Sequence, residues 1–308
     1  MKRCLIIRNP TSRRQLKPAH LEAAAGMLRA AGWDVTIAVT ECPEHATEVS
    51  REAAAQLVDV VVVNGGDGTI NEAVNGIAGS ETALAVLPGG TANVWAKEAR
   101  ISKDPAKAMR VVLDGDRRRI DLGVANGRYF LLMAGVGLDA AIIPRVNPRL
   151  KRRAGALAYV LAGIATAIRT KPWDARLLVT PGEEMTGPSP ATITTPLYWL
   201  VAGNTRNYGG LVDITPRART DDGVLDLALM RRGGLHLIPD GVRVFLRRHD
   251  RSPNVLYTKT PQIAIETPGI PVQLDGECCM ETPILLTAAP QSLVVMLPRG
   301  KRGAVFGG

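Results

Sequence analysis

The stretch VVVNGGDGTINEAVNGI, residues 61–77, decides how the chain folds. It opens on β-branched apolar residues, which suit a strand buried on both faces. NGGDGT then interrupts the run, and INEAVNGI resumes with apolar residues spaced for a helix. A strand running through a glycine turn into a helix is the first half of a βαβ unit, so a parallel sheet is expected. A tight turn needs one or two glycines. Three imply that something approaches the backbone where a Cβ would obstruct it.

The flanking sequence repeats the pattern. CLIIR (4–8), DVTIAVT (34–40), VDVVVV (58–63) and ALAVLP (83–88) read as strands. PAHLEAAAGMLRAAG (18–32) places Leu21, Ala25, Leu28 and Ala31 on one helical face and closes on Gly32. A second helix is expected over 43–57, begun by Pro43, with others from about Thr69, near 91–98 and over 104–113. After about residue 120 the texture changes to short strands punctuated by Gly, Pro and Asp, among them RIDLGV, PLYWLVAG, VLDLALM, VLYTK, PVQLDGE, PILLTAA and SLVVML. Only 151–169 and 235–248 look helical there. The expected architecture is an α/β N-terminal domain over 1–121, a parallel sheet with helices on both faces, followed by a β-rich sandwich over 122–289. Residues 290–308 are expected to return to the first domain, and a cleft between the domains is the expected site.

Composition narrows the partners. Of 308 residues 46% are hydrophobic, enough for a substantial core, and the formal charge is +9. Anionic ligands are therefore favoured: phosphorylated metabolites, an anionic membrane surface or nucleic acid. Aromatics make up only 4% and none interleave with a basic stripe, which argues against a nucleic-acid stacking platform. The four cysteines, Cys4, Cys42, Cys278 and Cys279, show no CxxC spacing and read as reduced thiols of a cytoplasmic protein. The apolar run 154–168 is shorter than the roughly 18 residues of a membrane span. RVNPRLKRR (145–153) is strongly basic, and RRGGLHLIPDGVRVFLRRHD (231–250) puts Leu237, Val244 and Phe245 near one face between arginines. Both segments suggest peripheral, electrostatic docking at the inner face of an anionic membrane. The sequence carries no signal for a particular oligomeric state.

Ligands of open parallel sheets bind beyond the carboxyl ends of the strands, where NGGDGT lies. Gly65, Gly66 and Gly68 would admit a phosphate to the backbone, and the following helix would offer it N–H groups and a positive dipole end. Thr69 is the expected N-cap, with Glu72 completing a capping box. Asp67 beside a phosphate implies a bridging Mg²⁺; the competing reading is an ordinary strand-to-helix turn whose aspartate bonds its own backbone. A second turn, VLPGGTANVWAKE (86–98), repeats the arrangement with Thr91 at the cap and Asn93 in the first turn. Two such turns on neighbouring strands could hold one polyphosphate. There is no GxxxxGK[ST], GVGLDA (135–140) lacks the acidic partner of a dinucleotide fingerprint, and the four histidines lack ligand spacing.

NGGDGTINEAVNGI and LPGGTANVWAKE, followed by GGLVDITPRARTDDGVLDL (209–227) and VQLDGE (272–277), resemble in order the bacterial diacylglycerol kinase and sphingosine kinase-like lipid kinases. The resemblance implies ATP as donor, Mg²⁺ as cofactor and a lipid hydroxyl as acceptor. It implies nucleotide contacts at Asn9, Thr40, Gly66, Asp67, Gly68, Thr69, Asn71, Glu72 and Thr91. It further implies a Mg²⁺ site from the carbonyls of Arg217 and Thr220 with the Asp222 carboxylate, a base in the DGE segment at Asp275 or Glu277, with the balance towards Glu277, and Asp121 in the same polar network. NPTSRR places Arg13 where the family often has glycine. GGDGT is shared with NAD kinases, so NAD kinase is the alternative enzyme; a nucleic-acid-binding module is the alternative of another class, favoured only by charge.

Overall fold

A computed structural model of the chain describes residues 1–13, 16–142, 167, 170–181, 191–236, 239–240, 243, 252–300 and 303–306. The basic stretch 145–153, nearly all of the expected helix 151–169, and Leu237, Val244 and Phe245 lie outside the described residues.

The N-terminal layer is built as the strand–helix alternation requires. Strands β1 (Arg3–Arg8), β2 (Asp34–Val39), β3 (Val60–Gly65) and β4 (Ala83–Pro88) are parallel in the order β2-β1-β3-β4. Helices α1 (Pro18–Ala30), α2 (His45–Ala55) and α3 (Asp67–Ile77) connect them, followed by α4 (Val94–Glu98) and α5 (Pro105–Asp114). The chain steps one way from β1 to β2 and the other way from β2 to β4. Right-handed crossovers therefore put α1 on one face and α2 and α3 on the other; α5 packs beside α1 and α2 beside α3. Val60 to Val63 are fully buried, as are Ala25 and Leu28, and each valine or leucine side chain contributes about 1.5–3 kcal/mol on burial. Helix α2 begins at His45 rather than Pro43, because Glu44 takes a left-handed turn (φ 65°) between them.

The second half is β-rich: β5 (Asp116–Ala125), β6 (Arg128–Phe130), β7 (Met133–Gly137), a short helix α6 (Leu138–Ile142), then β8 (Trp173–Thr180), β9 (Ala191–Leu197), β10 (Trp199–Gly203), β11 (Asn207–Tyr208) and β12 (Val212–Asp213). It ends with β13 (Leu225–Met230), β14 (Val255–Thr260), β15 (Gln262–Ile265), β16 (Pro271–Leu274), β17 (Glu277–Glu281) and β18 (Ile284–Leu297). A six-stranded antiparallel sheet, β14-β13-β10-β7-β16-β17, shares a core with β8, β15 and the start of β18 through Leu177, Leu200, Leu227, Ile263, Val272 and Leu286. That pair of sheets is the sandwich. Helix α6 was not foreseen; GVGLDA leaves a strand straight into a single helical stretch.

One strand joins the layers. PILLTAA and SLVVML, which read as two strands, form the single β18. Its first half pairs with β15, its second half pairs in parallel with β4 at Val294–Ala83 and Val295–Leu84, and β5 runs antiparallel along both. The parallel sheet thus continues without a break into a ten-stranded mixed sheet. Pro290 and Gln291 (φ 49°), which read as a loop, sit where the register shifts between Ala289 and Leu293. A bulge absorbs the proline that a regular central strand would reject.

Candidate active site at the edge of the parallel sheet

The register of the sheet brings the glycine turns together. Arg8 pairs with Val39 and with Asn64, and Gly65 pairs with Pro88, so Asn9, Thr40, Gly65 to Thr69 and Gly89 to Thr91 leave the same carboxyl edge. Strand order reverses between β1 and β3, which makes this edge the topological switch point where ligands of such sheets bind. The Asn9 side chain crosses it, donating to Thr69 Oγ1 at 2.8 Å, while its backbone N–H bonds Asn64 O at 3.0 Å. Thr40 is buried, held by its N–H on Arg8 O.

Each glycine of the turn has a neighbour that explains it. A Cβ on Gly65 would lie 2.7 Å from the Thr69 Cβ, and one on Gly90 would lie 2.6 Å from the Gly66 Cα. The two glycine turns therefore pack backbone against backbone, and part of what approaches the first turn is the second. A Cβ on Gly68 would lie 2.7 Å from Glu277 Oε1, so the third glycine opens a gap that a carboxylate from the other layer enters.

The caps differ from those the sequence suggested. Helix α3 starts at Asp67 with extended Gly66 as its N-cap, so Thr69 is inside the first turn and there is no capping box. Its first N–H groups have no intrahelical acceptor. Glu72 turns to the preceding helix, α2, and accepts from Ala46 N at 3.3 Å; burial raises its carboxyl above the usual range, with repulsion from Glu44 and Glu277 adding to it. In the second turn Asn93 (φ 48°), not Thr91, precedes the helix; it bonds both the N–H and the carbonyl of Gly90 at 2.8 Å, and Thr91 is exposed. Asp67 reaches across the turns. Its Oδ1 accepts from Trp95 N at 3.4 Å, and the N–H groups of Asn93 and Val94 also face the carboxylate. Burial raises its carboxyl, opposed by these donors and by Lys97. The aspartate bonds backbone, as an ordinary turn would, but the backbone of the neighbouring turn.

Because this contact is main chain on main chain, Gly90→Ala is expected to cost about 1–3 kcal/mol, since no flexible side chain can yield. Urea denaturation measures the loss; an unchanged value would show that the turns are not tightly apposed.

The facing wall carries Asp275 and Glu277 in two different environments. Asp275 (φ 50°) is saturated: Oδ1 accepts from Leu132 N and Met133 N at 2.8 and 2.9 Å, and Oδ2 from Leu131 N and the Asn71 amide at 2.8 and 2.7 Å. Burial pushes its carboxyl up to about 6 against the pull of these donors. Asn71, one turn from Asn75 on α3, also donates to Tyr129 O, and Asn75 bonds both Tyr129 N and Tyr129 O. Glu277 is 51% exposed at its side chain, with Arg128 Nη2 at 3.7 Å from Oε2. Behind the turn, Gly276 N donates to Gln273 Oε1, Gln273 Nε2 donates to Asp139 Oδ2, and Tyr208 donates to the same oxygen. Burial raises the Asp139 carboxyl, opposed mainly by Gln273.

Asp121 and the 217–223 loop form a second cluster. Asp121 is 2% exposed; its N–H bonds Thr220 O, Oδ2 accepts from Gly223 N at 2.7 Å and Oδ1 from Gln291 N at 2.8 Å. Burial raises its carboxyl, reinforced by Asp222 and Asp221. Asn204, fully buried, joins the clusters by donating to Asp121 O and Leu131 O. The donors expected to hold Mg²⁺ here do not fit it. Lys259 Nζ lies 2.8 Å from Asp222 Oδ2 and 3.4 Å from Arg217 O, and Thr220 O is taken by Asp121 N. No group of three or more His, Cys, Asp or Glu side chains able to hold a metal occurs among the described residues.

Sequence reading missed Asn64, Asn75, Asn204, Gln273 and Lys259. Asn71 and Asn75 carry a signal, two asparagines one turn apart in an otherwise apolar helix. Asn204 carries another, a polar residue ending the apolar run LYWLVAG. Lys259 gives none, since its partners are 33–42 residues away.

Comparison with known proteins completes the site. Residues 3–125 match the family model of the diacylglycerol kinase catalytic domain, and residues 133–297 match that of the YegS C-terminal NAD kinase beta sandwich-like domain. The chain is 32% identical to a diacylglycerol kinase of Bacillus subtilis over 282 residues, covering 90% of each chain. It is 32% identical to a diacylglycerol kinase of Mycobacterium tuberculosis over 294 residues, covering 92% of this chain and 91% of the relative. A crystal structure of a diacylglycerol kinase from Bacillus anthracis is similar with a TM-score of 0.76, at 25% identity and over 97% of each chain.

Proposed function

Since the chain belongs to the diacylglycerol kinase family of lipid kinases, we propose that it transfers the γ-phosphoryl group of ATP to a hydroxyl of diacylglycerol or a related lipid. The observation that carries this reading is the Glu277 carboxylate entering the gap beside Gly68, at the mouth of the first glycine turn. The N–H groups of α3 and the paired turns bind the phosphates at the sheet edge, with Asn9, Thr40 and Thr91 around them. Such transfer depends on positioning and on neutralising charge. Glu277, exposed and with no backbone donor on its carboxylate among the described residues, takes the proton of the attacking hydroxyl; Asp275 fixes the turn that carries it. Asp67 and Glu277, the carboxylates beside the turn, would hold a magnesium ion brought with the nucleotide, and that ion would supply neutralising charge to the phosphates.

We also propose that the enzyme works at an anionic membrane surface from the cytoplasmic side. No helix among the described residues is long and apolar enough to cross a membrane, and the net charge of +9 favours such a surface. One experiment tests both proposals. Labelled ATP is presented with vesicles of anionic or zwitterionic lipid containing diacylglycerol, a sphingoid base or phosphatidylglycerol, with NAD as a control acceptor, and products are identified by mass spectrometry. A phosphorylated lipid, formed faster on anionic vesicles at low salt, is expected. Phosphorylated NAD with no lipid product would overturn the reading, and rates independent of salt and lipid charge would remove the electrostatic docking.

A further inference from the structure

We propose that Lys259 is a built-in cation that organises the 217–223 loop in place of a bound divalent ion. This inference concerns the order of the loop and does not depend on which lipid is phosphorylated. The register of the six-stranded sheet sets Lys259 of β14 directly opposite Asp226 of β13. From there its ammonium reaches Asp222 Oδ2 at 2.8 Å, Arg217 O at 3.4 Å and Asp226 Oδ2 at 3.6 Å. Asp226 is fully buried and its other oxygen accepts from the Tyr257 hydroxyl at 2.6 Å, while the Arg217 guanidinium stacks over the Tyr257 ring.

The cluster has one cation where its oxygens converge, and that cation is tethered. A divalent ion bound by Asp222 and the Arg217 carbonyl would need both oxygens at about 2.0–2.6 Å and several more besides. The Thr220 carbonyl is turned into a backbone bond with Asp121, and two buried oxygens of the set, Asp222 Oδ1 and Asp226 Oδ2, have no hydrogen-bond partner among the described residues, the second lying 3.6 Å from the Lys259 ammonium. An ammonium 2.8 Å from Asp222 Oδ2 already supplies the charge, and it would repel an ion placed beside it. Burial alone would lower the Lys259 ammonium, but Asp222 and Asp226 outweigh it and keep it above its ordinary value. The loop so held delivers the Gly223 N–H and the Thr220 carbonyl to Asp121, making Lys259 a positioning residue for that network.

Thermal melting without nucleotide tests this, so a failure of the kinase reading leaves its outcome unaffected. The unmodified chain is expected to have the same Tm in chelator and in millimolar magnesium. Lys259→Met, which keeps the apolar stem and removes the charge, should lower Tm by several degrees in chelator. Magnesium should restore that loss, and adding Asp222→Asn should abolish the restoration. A saturable rise in the Tm of the unmodified chain with magnesium, lost in Asp222→Asn, would overturn the proposal, as would a Lys259→Met protein that melts like the parent in chelator. Should Lys259→Met fail to fold, the magnesium titration of the parent and of Asp222→Asn decides alone.

Discussion

Glu277→Gln is expected to lower kcat by roughly 10²–10⁴-fold, the usual contribution of a general base, with ATP affinity within a factor of about two of the parent. The substitution is nearly isosteric, so the side chain still enters the gap opposite Gly68 and the β16–β17 turn keeps its path. What it loses is the ability to accept a proton. Exposure of the side chain makes a large folding penalty implausible, since no backbone donor depends on it among the contacts described. Single-turnover phosphorylation, together with titration of a non-hydrolysable ATP analogue, separates the two effects. Parent-like turnover would move the base elsewhere. A collapse of ATP affinity with unchanged chemistry would make Glu277 a binding group instead.

Asp275→Ala is expected to act on stability, by about 3–5 kcal/mol. The alanine leaves the N–H groups of Leu131, Leu132 and Met133 and the Asn71 amide without their acceptor, and each buried donor so deprived costs about 1–3 kcal/mol. Partial access of water to the turn brings the total below the simple sum. Asp275 also sits at φ 50°, a left-handed conformation that aspartate tolerates better than alanine. Urea denaturation gives the loss directly. The contrast between the two carboxylates is the discriminating result: Glu277→Gln should keep the fold and lose chemistry, whereas Asp275→Ala should lose both together. A stable, inactive Asp275→Ala protein would mean that Asp275 touches the reaction and that its four donors matter little.

The sequence made the four parallel strands legible because each is a short, mostly apolar run, closed by glycine after β3 and β4 and by proline after β1 and β2. The same marks located the two turns, but not the reason for them. Gly90 against Gly66 is a contact between segments 24 residues apart, and local pattern says nothing about such packing. Helix starts were displaced by up to three residues for a related reason: extended Gly66 serves as cap where Thr69, a better cap by side chain, was expected. Asp67 shows the limit on electrostatic inference. An isolated carboxylate at a phosphate cradle calls for a cation; nothing local in the sequence says that N–H groups of another turn also face it. Lys259 is the same lesson reversed, a charge from a distant strand standing where the family resemblance implied a metal.

The continuity of β18 has a consequence for how the polypeptide reaches its native state. Until residues 284–297 arrive, β4 presents an unsatisfied row of backbone groups on one flank and β15 does so on the other. Neither half can reach its final hydrogen-bonded form before then, since the piece that completes both is synthesised after β4 and after β15. Closure therefore spans a sequence separation of roughly 200 residues at β4, a non-local event of the kind that slows folding and prolongs exposure of sticky edges. Assembly of the two lobes is concerted by construction: one late segment zips them shut at the same time.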